Sequence, residues 1–446
     1  MKDPRRNSSR RHFLKTTAAA SLAFSAASLF AADKPSKEPK DKDRDKDKKA
    51  SLKDVQHIVV VMMENRSFDH LLGWLPGANG RQGGLTYVDQ AGTGHPTYPL
   101  APDYQGCDHP DPEHSHTGGL IEWNQGKCDG WLRAGNNDLY SIGYYTQNDL
   151  AFLGHAAPAW TTCDRYHAAT LAETFPNRIY QHAAQTDRLV NTLDISTLPT
   201  IWDRLAESGV ARKYYFSDIP FLALWGTKYL PISTLIEQFY SDCAAGTLPA
   251  VSFVEPRFNG EEAGQSGDDH PHADIRNGEV FLNNVYNAVT SSPDWANTVM
   301  VITFDEWGGF FDHVAPTAAP IPAADAAAGN TDGLRGFRVP ALLVSPWARR
   351  RAINSGLYDH TSTLRMIEER WHLRPLTVRD GTANSLADVL DFSQTNLSVP
   401  RFSVPAGPFG DLCAQTTARL SDSLEEEQWA RLGDMARHYG FPTRSL

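Results

Sequence analysis

Past its first fifty residues the chain has no run of about twenty apolar residues, so no helix of its body can span a bilayer. Cysteine is scarce too: Cys107, Cys128, Cys163, Cys243 and Cys413 are all there are, and no two stand as C-x-x-C. Zinc-ribbon and thioredoxin-type chemistry is thereby excluded. Cys107 and Cys128 flank one loop and could pair after export, and the odd count leaves at least one thiol, expected to be buried. No internal repeat is visible. Basic charge is short: beyond residue 50 stand 28 Lys and Arg against 46 Asp and Glu, about −18. A field of that sign repels nucleic acid and favours neutral, zwitterionic or cation-bearing substrates.

What is present is an ordinary globular composition, 41% hydrophobic and 21% charged, enough for one large α/β domain or two smaller ones. The N-terminus reads Ser9-Arg10-Arg11-His12-Phe13-Leu14-Lys15, then a small-residue apolar run from Ala18 to Ala32. Residues 1–32 are therefore expected to be a twin-arginine signal peptide, cargo for that export machinery, with a periplasmic or secreted destination. Residues 33–50 alternate charges at low complexity and are expected to be a disordered linker. Residues 51–446 are the folded body.

"HIVVVMM" (57–63) is a run fit for a strand buried on both faces. "ARKYYFSD" (211–218), "AVSFVEP" (250–256), "NTVMVITFDE" (297–306) and "VPALLVSPWA" (339–348) are built alike. Helical patterns lie at Ile201–Ser208, Gly278–Ser291 and Thr361–His372. Such alternation predicts a mostly parallel sheet with helices on both faces. The stretch from Gly77 to Asp149, rich in Gly, His, Asp, Asn and Trp, reads as a loop-rich insertion capping the sheet's carboxyl edge.

Ligands in such folds sit beyond the carboxyl ends of the strands. Glu64-Asn65 ends the first strand and Asp305-Glu306 another. Three carboxylates and an amide converging there suit calcium, magnesium or manganese better than copper or zinc. Thr174, two residues before Pro176, reads as a helix N-cap, where free amides attract phosphate. Beside a cation its hydroxyl could become a nucleophile toward phosphorus; capping alone is the plainer alternative. His114, His270, His272, His313 and His360 lie in polar segments, where histidine donates to phosphate oxygens or shuttles protons.

"MENRSFDHLLGW", "DPEHS", "GYYTQNDL", "CDRYH", "TFPNR", "DDHPHADI", "TFDEWGGFFDHV", "RVPALLVSPWAR" and "YDHTS" follow one another between about residues 55 and 372. In that combination the sequence resembles the bacterial phospholipase C and acid phosphatase family, and the plant non-specific phospholipases C, within the alkaline-phosphatase-like superfamily. The resemblance implies an α/β phosphoesterase domain and one divalent metal beside a Ser/Thr nucleophile. Carried over, it places Glu64, Asn65, Asp305 and Glu306 on the metal and Thr174 at the nucleophile. His114, His270 and His360 fall on positions that contact phosphate or the leaving group. Trp307 departs from the pattern, standing where many relatives have histidine, and the sequence stops at residue 446, short of the long extension of the large haemolytic members.

The expected activity is that of a metal-dependent phospholipase C on phosphatidylcholine-type lipids, through a phosphothreonine and with transient contact to a membrane surface. Trp123, Trp131, Tyr144 and Tyr145 could hold a choline-type cation or simply pack the insertion. An acid phosphatase acting on phosphomonoesters is the alternative within the family. An exported binding protein with a degenerate site is the alternative outside enzymes.

Overall fold

The computed structural model of the chain describes residues 50–261, 263–414 and 423–444, with side chains in the last stretch from residue 427. The expected signal peptide and all but the last residue of the charged linker lie outside the described residues.

Eight strands form the central sheet: β1 (His57–Met63), β2 (Thr161–Cys163), β3 (Arg212–Phe216), β4 (Ser233–Leu235), β5 (Val251–Glu255), β6 (Thr298–Phe304), β7 (Ala341–Val344) and β8 (Ala352–Asn354). Their spatial order is β8-β2-β7-β6-β1-β5-β3-β4. Every neighbouring pair is parallel except the two made by β7. Ile58 to Met63 in β1 are all buried, and successive side chains point to opposite faces, so the sheet is covered on both. Each such Val, Ile or Met gains about 1.5–3 kcal/mol from burial, which pins the strand at the centre.

The sequence pattern anticipated the 339–348 run as a strand but not its direction. Only Ala341–Val344 is regular, and it runs antiparallel to β6. The connection from β6 carries no long crossover helix, so the chain turns back from the edge where β6 ended.

The helices that matter for the site are α1 (Phe68–Leu72), α2 (His116–Trp123), α3 (Thr174–Ala183), α4 (Ile201–Glu207), α5 (Ile236–Ala245), α6 (Ile275–Ser291), α7 (His360–Trp371) and α8 (Ser423–Tyr439). The three helical patterns read from sequence appear as α4, α6 and α7, within a few residues at each end. No helix among the described residues is long and apolar enough to cross a membrane.

Residues 77–149 hold short ladders, Thr86–Val88 with Gly94–Pro96 and Tyr98–Pro99 with Gly143–Tyr144, together with α2. They share a second hydrophobic cluster with the loop after β6 and with Leu171 before α3: Trp131, Ile142, Leu171, Trp307, Phe311 and Phe337.

The Cys107–Cys128 pairing is not found. Cys107 is bridged to Cys413, and Cys128 is a buried thiol within the second cluster. Gln105 explains the choice of partner. Its Nε2 donates to the Asp411 carbonyl at 2.6 Å and its Oε1 accepts from the Asp411 amide at 2.9 Å, which lays the 411–413 segment beside Cys107.

Candidate active site

β1 and β6 are parallel neighbours in register from His57↔Thr298 to Met63↔Phe304, so their carboxyl ends emerge side by side. The next residues of each are stitched together. The Asn65 amide donates to Asp305 Oδ1 at 3.1 Å, the Arg66 amide to the Glu306 carbonyl at 3.1 Å, and the Asp305 amide to the Met63 carbonyl at 3.1 Å. Asn65 takes a left-handed conformation, φ 56°, which asparagine tolerates better than other side-chain-bearing residues. Gly308, φ 60°, closes over it: a Cβ there would stand 2.1 Å from the Asn65 carbonyl oxygen, so only glycine fits.

Thr174 reaches the same point from another element. Its hydroxyl, fully buried, donates to Asn65 Oδ1 at 3.2 Å. The N-cap expectation is corrected here: Glu173 is the N-cap of α3 and Thr174 the first helical residue. The next amide, that of Phe175, is taken by Asn191 Oδ1 at 2.7 Å. The Thr174 hydroxyl is thereby turned toward the strand ends and not back into its helix. The structure thus joins Asn65, Thr174 and Asp305 directly, with Glu64 and Glu306 as their neighbours along the two strand ends.

One helical turn after Thr174, Arg178 binds the arrangement from below. Its Nε donates to Asp305 Oδ2 at 3.0 Å, Nη1 to Glu255 Oε2 at 2.5 Å and Nη2 to the Met63 carbonyl at 3.1 Å, with Glu64 Oε2 3.8 Å away. Burial raises the Glu255 carboxyl, to about 7, against the pull of the guanidinium. Neither Arg178 nor Glu255 was singled out from sequence. The signals that could have found them are the i, i+4 spacing of Arg178 from Thr174 and the strand-end place of Glu255.

Glu64 also meets acids that sequence reasoning passed over. One carboxylate oxygen each from Glu64, Glu261 and Asp268 lies within 4.8 Å of the others, and all three residues are buried. Burial pushes the Asp268 carboxyl up. Three buried carboxylates that close together form an all-oxygen donor set, which fits a hard divalent cation. A second acidic group, Asp69, Asp312 and His313, has a different counter-charge. Arg338 donates to Asp312 Oδ1 and Oδ2 at 2.9 and 3.0 Å and to Asp69 Oδ1 at 3.1 Å. A guanidinium already fills the place a cation would take.

The histidines divide. His114 Nδ1 is held by the Pro112 carbonyl at 2.7 Å, and His270 Nε2 stands 3.6 Å from Asp111 Oδ2. His360 opens α7, fully buried, with Nε2 2.6 Å from the Asp305 carbonyl. Burial lowers it to about 4, so it is neutral and donates that bond. His272 Nε2 lies 3.0 Å from the His109 carbonyl, and His313 joins the Asp69 group. Trp307 is buried, its indole donating to Glu122 Oε2 at 2.8 Å. Trp131 and Tyr145 are sealed in packing, Trp131 against Phe337 at 4.6 Å and Tyr145 against Tyr104 at 5.9 Å, so neither can receive a choline-type cation. Trp123 and Tyr144 are half-buried against the second cluster.

The model of the Phosphoesterase family matches residues 55–374. The chain is 30% identical to phospholipase C A of Mycobacterium tuberculosis, over 79% of this chain and 81% of that protein. It is 29% identical to non-specific phospholipase C6 of Arabidopsis thaliana, over 79% of this chain and 74% of that one. Among solved structures, one of a protein in the alkaline phosphatase superfamily from Vibrio parahaemolyticus aligns over 89% of this chain and 90% of its own, at 8% identity and a TM-score of 0.39. The matched residues run from the start of β1 through α7 and take in Glu64, Asn65, Thr174, Asp305 and Glu306, so the chain belongs to the Phosphoesterase family and is a hydrolase acting on phosphoric ester bonds.

Proposed function

We propose that the protein is an exported, metal-dependent phospholipase C that cleaves phosphatidylcholine-type lipids to diacylglycerol and a phosphorylated head group, with Thr174 as nucleophile. The observation that carries this reading is the buried Thr174 hydroxyl, aimed by the start of α3 at Asn65 Oδ1 where the ends of β1 and β6 meet. The names of the similar proteins, phospholipase C A and non-specific phospholipase C6, support a phospholipid substrate, without naming its head group.

In this reading Glu64, Asn65, Asp305 and Glu306 would hold a divalent ion, and Glu261 and Asp268, grouped with Glu64, would add carboxylates. Such an ion supplies a Lewis acid that lowers the pKa of a nearby hydroxyl and offsets charge on the equatorial oxygens. Thr174 Oγ forms its bond to phosphorus as the bond to the glycerol oxygen breaks. His114, oriented by the Pro112 carbonyl, supplies the proton with which diacylglycerol departs, and the proton lost by Thr174 balances it. His270, beside Asp111, binds the phosphate. His360 acts as a positioning residue, holding the Asp305 backbone. Water then attacks the phosphothreonine and frees the phosphorylated head group. Arg10-Arg11 in the first 32 residues directs the folded protein through the twin-arginine route.

One preparation assayed on phosphatidylcholine and on p-nitrophenyl phosphate tests the reading, before and after chelation and on return of calcium, magnesium or manganese. The expected result is faster turnover of the lipid, lost on chelation and restored by one of the ions. Turnover confined to the phosphomonoester would make the protein an acid phosphatase, and full activity after chelation would end the metal assignment.

A further inference from the structure

Helix α8 lies beyond residue 374, where the family match ends, yet one of its side chains reaches the back of the site. Trp429, 1% exposed, stacks face to face on Phe258, with centroids 4.0 Å apart and planes 6° from parallel. The same indole meets Phe175, the neighbour of Thr174, edge-on at 5.0 Å and 71°. The Arg178 guanidinium stands over both stacked rings, 4.6 Å from the Phe258 centroid and 5.9 Å from that of Trp429. A single side chain therefore touches the residue after the proposed nucleophile and the cation that holds Asp305 and Glu255.

We propose that Trp429 is a positioning residue for the reaction: it closes the aromatic side of Arg178 and fixes Phe175, and so sets where Asp305 and the Thr174 hydroxyl stand. Arg178 presents Nε and Nη1 to two carboxylates, while the Phe258 and Trp429 rings stand beside its guanidinium plane. Charge over a ring face is attractive, and the effect grows when water is excluded. Removing the ring opens that side of the guanidinium to movement or to water, either of which weakens its hold on Asp305. Phe175 loses its edge contact at the same time, and the first turn of α3 gains freedom where the nucleophile sits. A shift of about 1 Å in such groups is enough to cost a large part of a rate.

The inference rests on the phosphoesterase reading of Thr174, and its test separates the two. Trp429→Leu keeps an apolar side chain and removes the ring; Trp429→Phe keeps a ring; Leu432→Ala opens a cavity at a buried residue of the same helix. On phosphatidylcholine, Trp429→Leu should lose about thirtyfold in kcat with KM within about threefold, and Trp429→Phe should recover to within about threefold of wild type. Leu432→Ala should be less stable but turn over like wild type at temperatures where it is folded. Wild-type kcat in folded Trp429→Leu, or an equal loss in Leu432→Ala, overturns the proposal. If the leucine variant does not fold, Trp429→Met is read in the same way, since methionine is apolar, adaptable in packing and has no ring. A wild type that turns over no phosphate ester would sink the Thr174 reading instead. Trp429 is then judged by calorimetric titration of calcium, magnesium and manganese, where Trp429→Leu should bind about tenfold more weakly. Equal affinities would contradict the inference.

Discussion

At the scale of single residues, the site is made of groups whose ordinary preferences are overridden by burial. His182, on α3 two turns beyond Thr174, shows the effect away from the chemistry. It is packed between Phe253, Trp202, Tyr214, Phe221 and Trp225, and burial, with Arg178 adding to it, lowers it to about 3. In the unfolded chain it titrates near the usual 6.5. The folded value being the lower one, the contribution is complete above about pH 6.5 and is lost as pH falls toward 3. Denaturant titrations should therefore show a drop between pH 7 and pH 4 that is smaller by about 3 kcal/mol in His182→Phe than in wild type. Parallel pH curves for the two would contradict this. Residue by residue, legibility followed locality. Glu64, Asn65, Asp305 and Glu306 could be read because polar pairs at the ends of apolar strands stand out along the chain. Arg178 showed only in its i, i+4 spacing from Thr174, and Glu261 and Asp268 did not show at all, because their partners come from segments scores of residues away and only the fold brings them back.

At the scale of elements, the strands and long helices were visible because their periodicity is a property of neighbours in sequence. The direction of β7 was not, since it depends on how the chain returns from β6. The same return builds a cross-link that no pattern announces. Arg338, just before β7, is fully buried over Phe68 at 4.6 Å and ties Asp69 of α1 to Asp312 of the loop after β6. Replacing it by methionine would leave two buried carboxylates without their cation. Arg338→Met should cost about 3–5 kcal/mol in a denaturant melt, the range for breaking a buried pair on one side. That loss should be the same with and without chelator. A loss below about 1 kcal/mol, or one that divalent ions reverse, would mean that the Asp69 group is a cation site instead.

At the scale of the whole molecule, residues 49–446 form one compact unit. The Cys107–Cys413 bridge joins the 77–149 segment to the residues before α8, and a thiol pairing inside that segment, the one the sequence suggested, would have left that join unmade. The sheet, its mostly parallel run and the candidate site at its carboxyl edge were legible because a parallel sheet has one place to put a ligand. The pairing of cysteines was not, and whether Trp131 and Tyr145 pack or face a ligand stayed open, because both are settled by side chains meeting across the fold. The charge of about −18 beyond residue 50 suits a zwitterionic lipid better than a polyanion.

The account turns on Thr174. Its hydroxyl does not cap α3, so on the proposed reading its removal should touch stability little and catalysis most. The decisive measurement is kcat on phosphatidylcholine for wild type, Thr174→Ser and Thr174→Ala, each shown to be folded. Serine should keep measurable turnover, and alanine should fall by roughly 10³-fold or more, about 4 kcal/mol of barrier. An alanine variant within about tenfold of wild type would contradict the assignment of the nucleophile and the mechanism built on it.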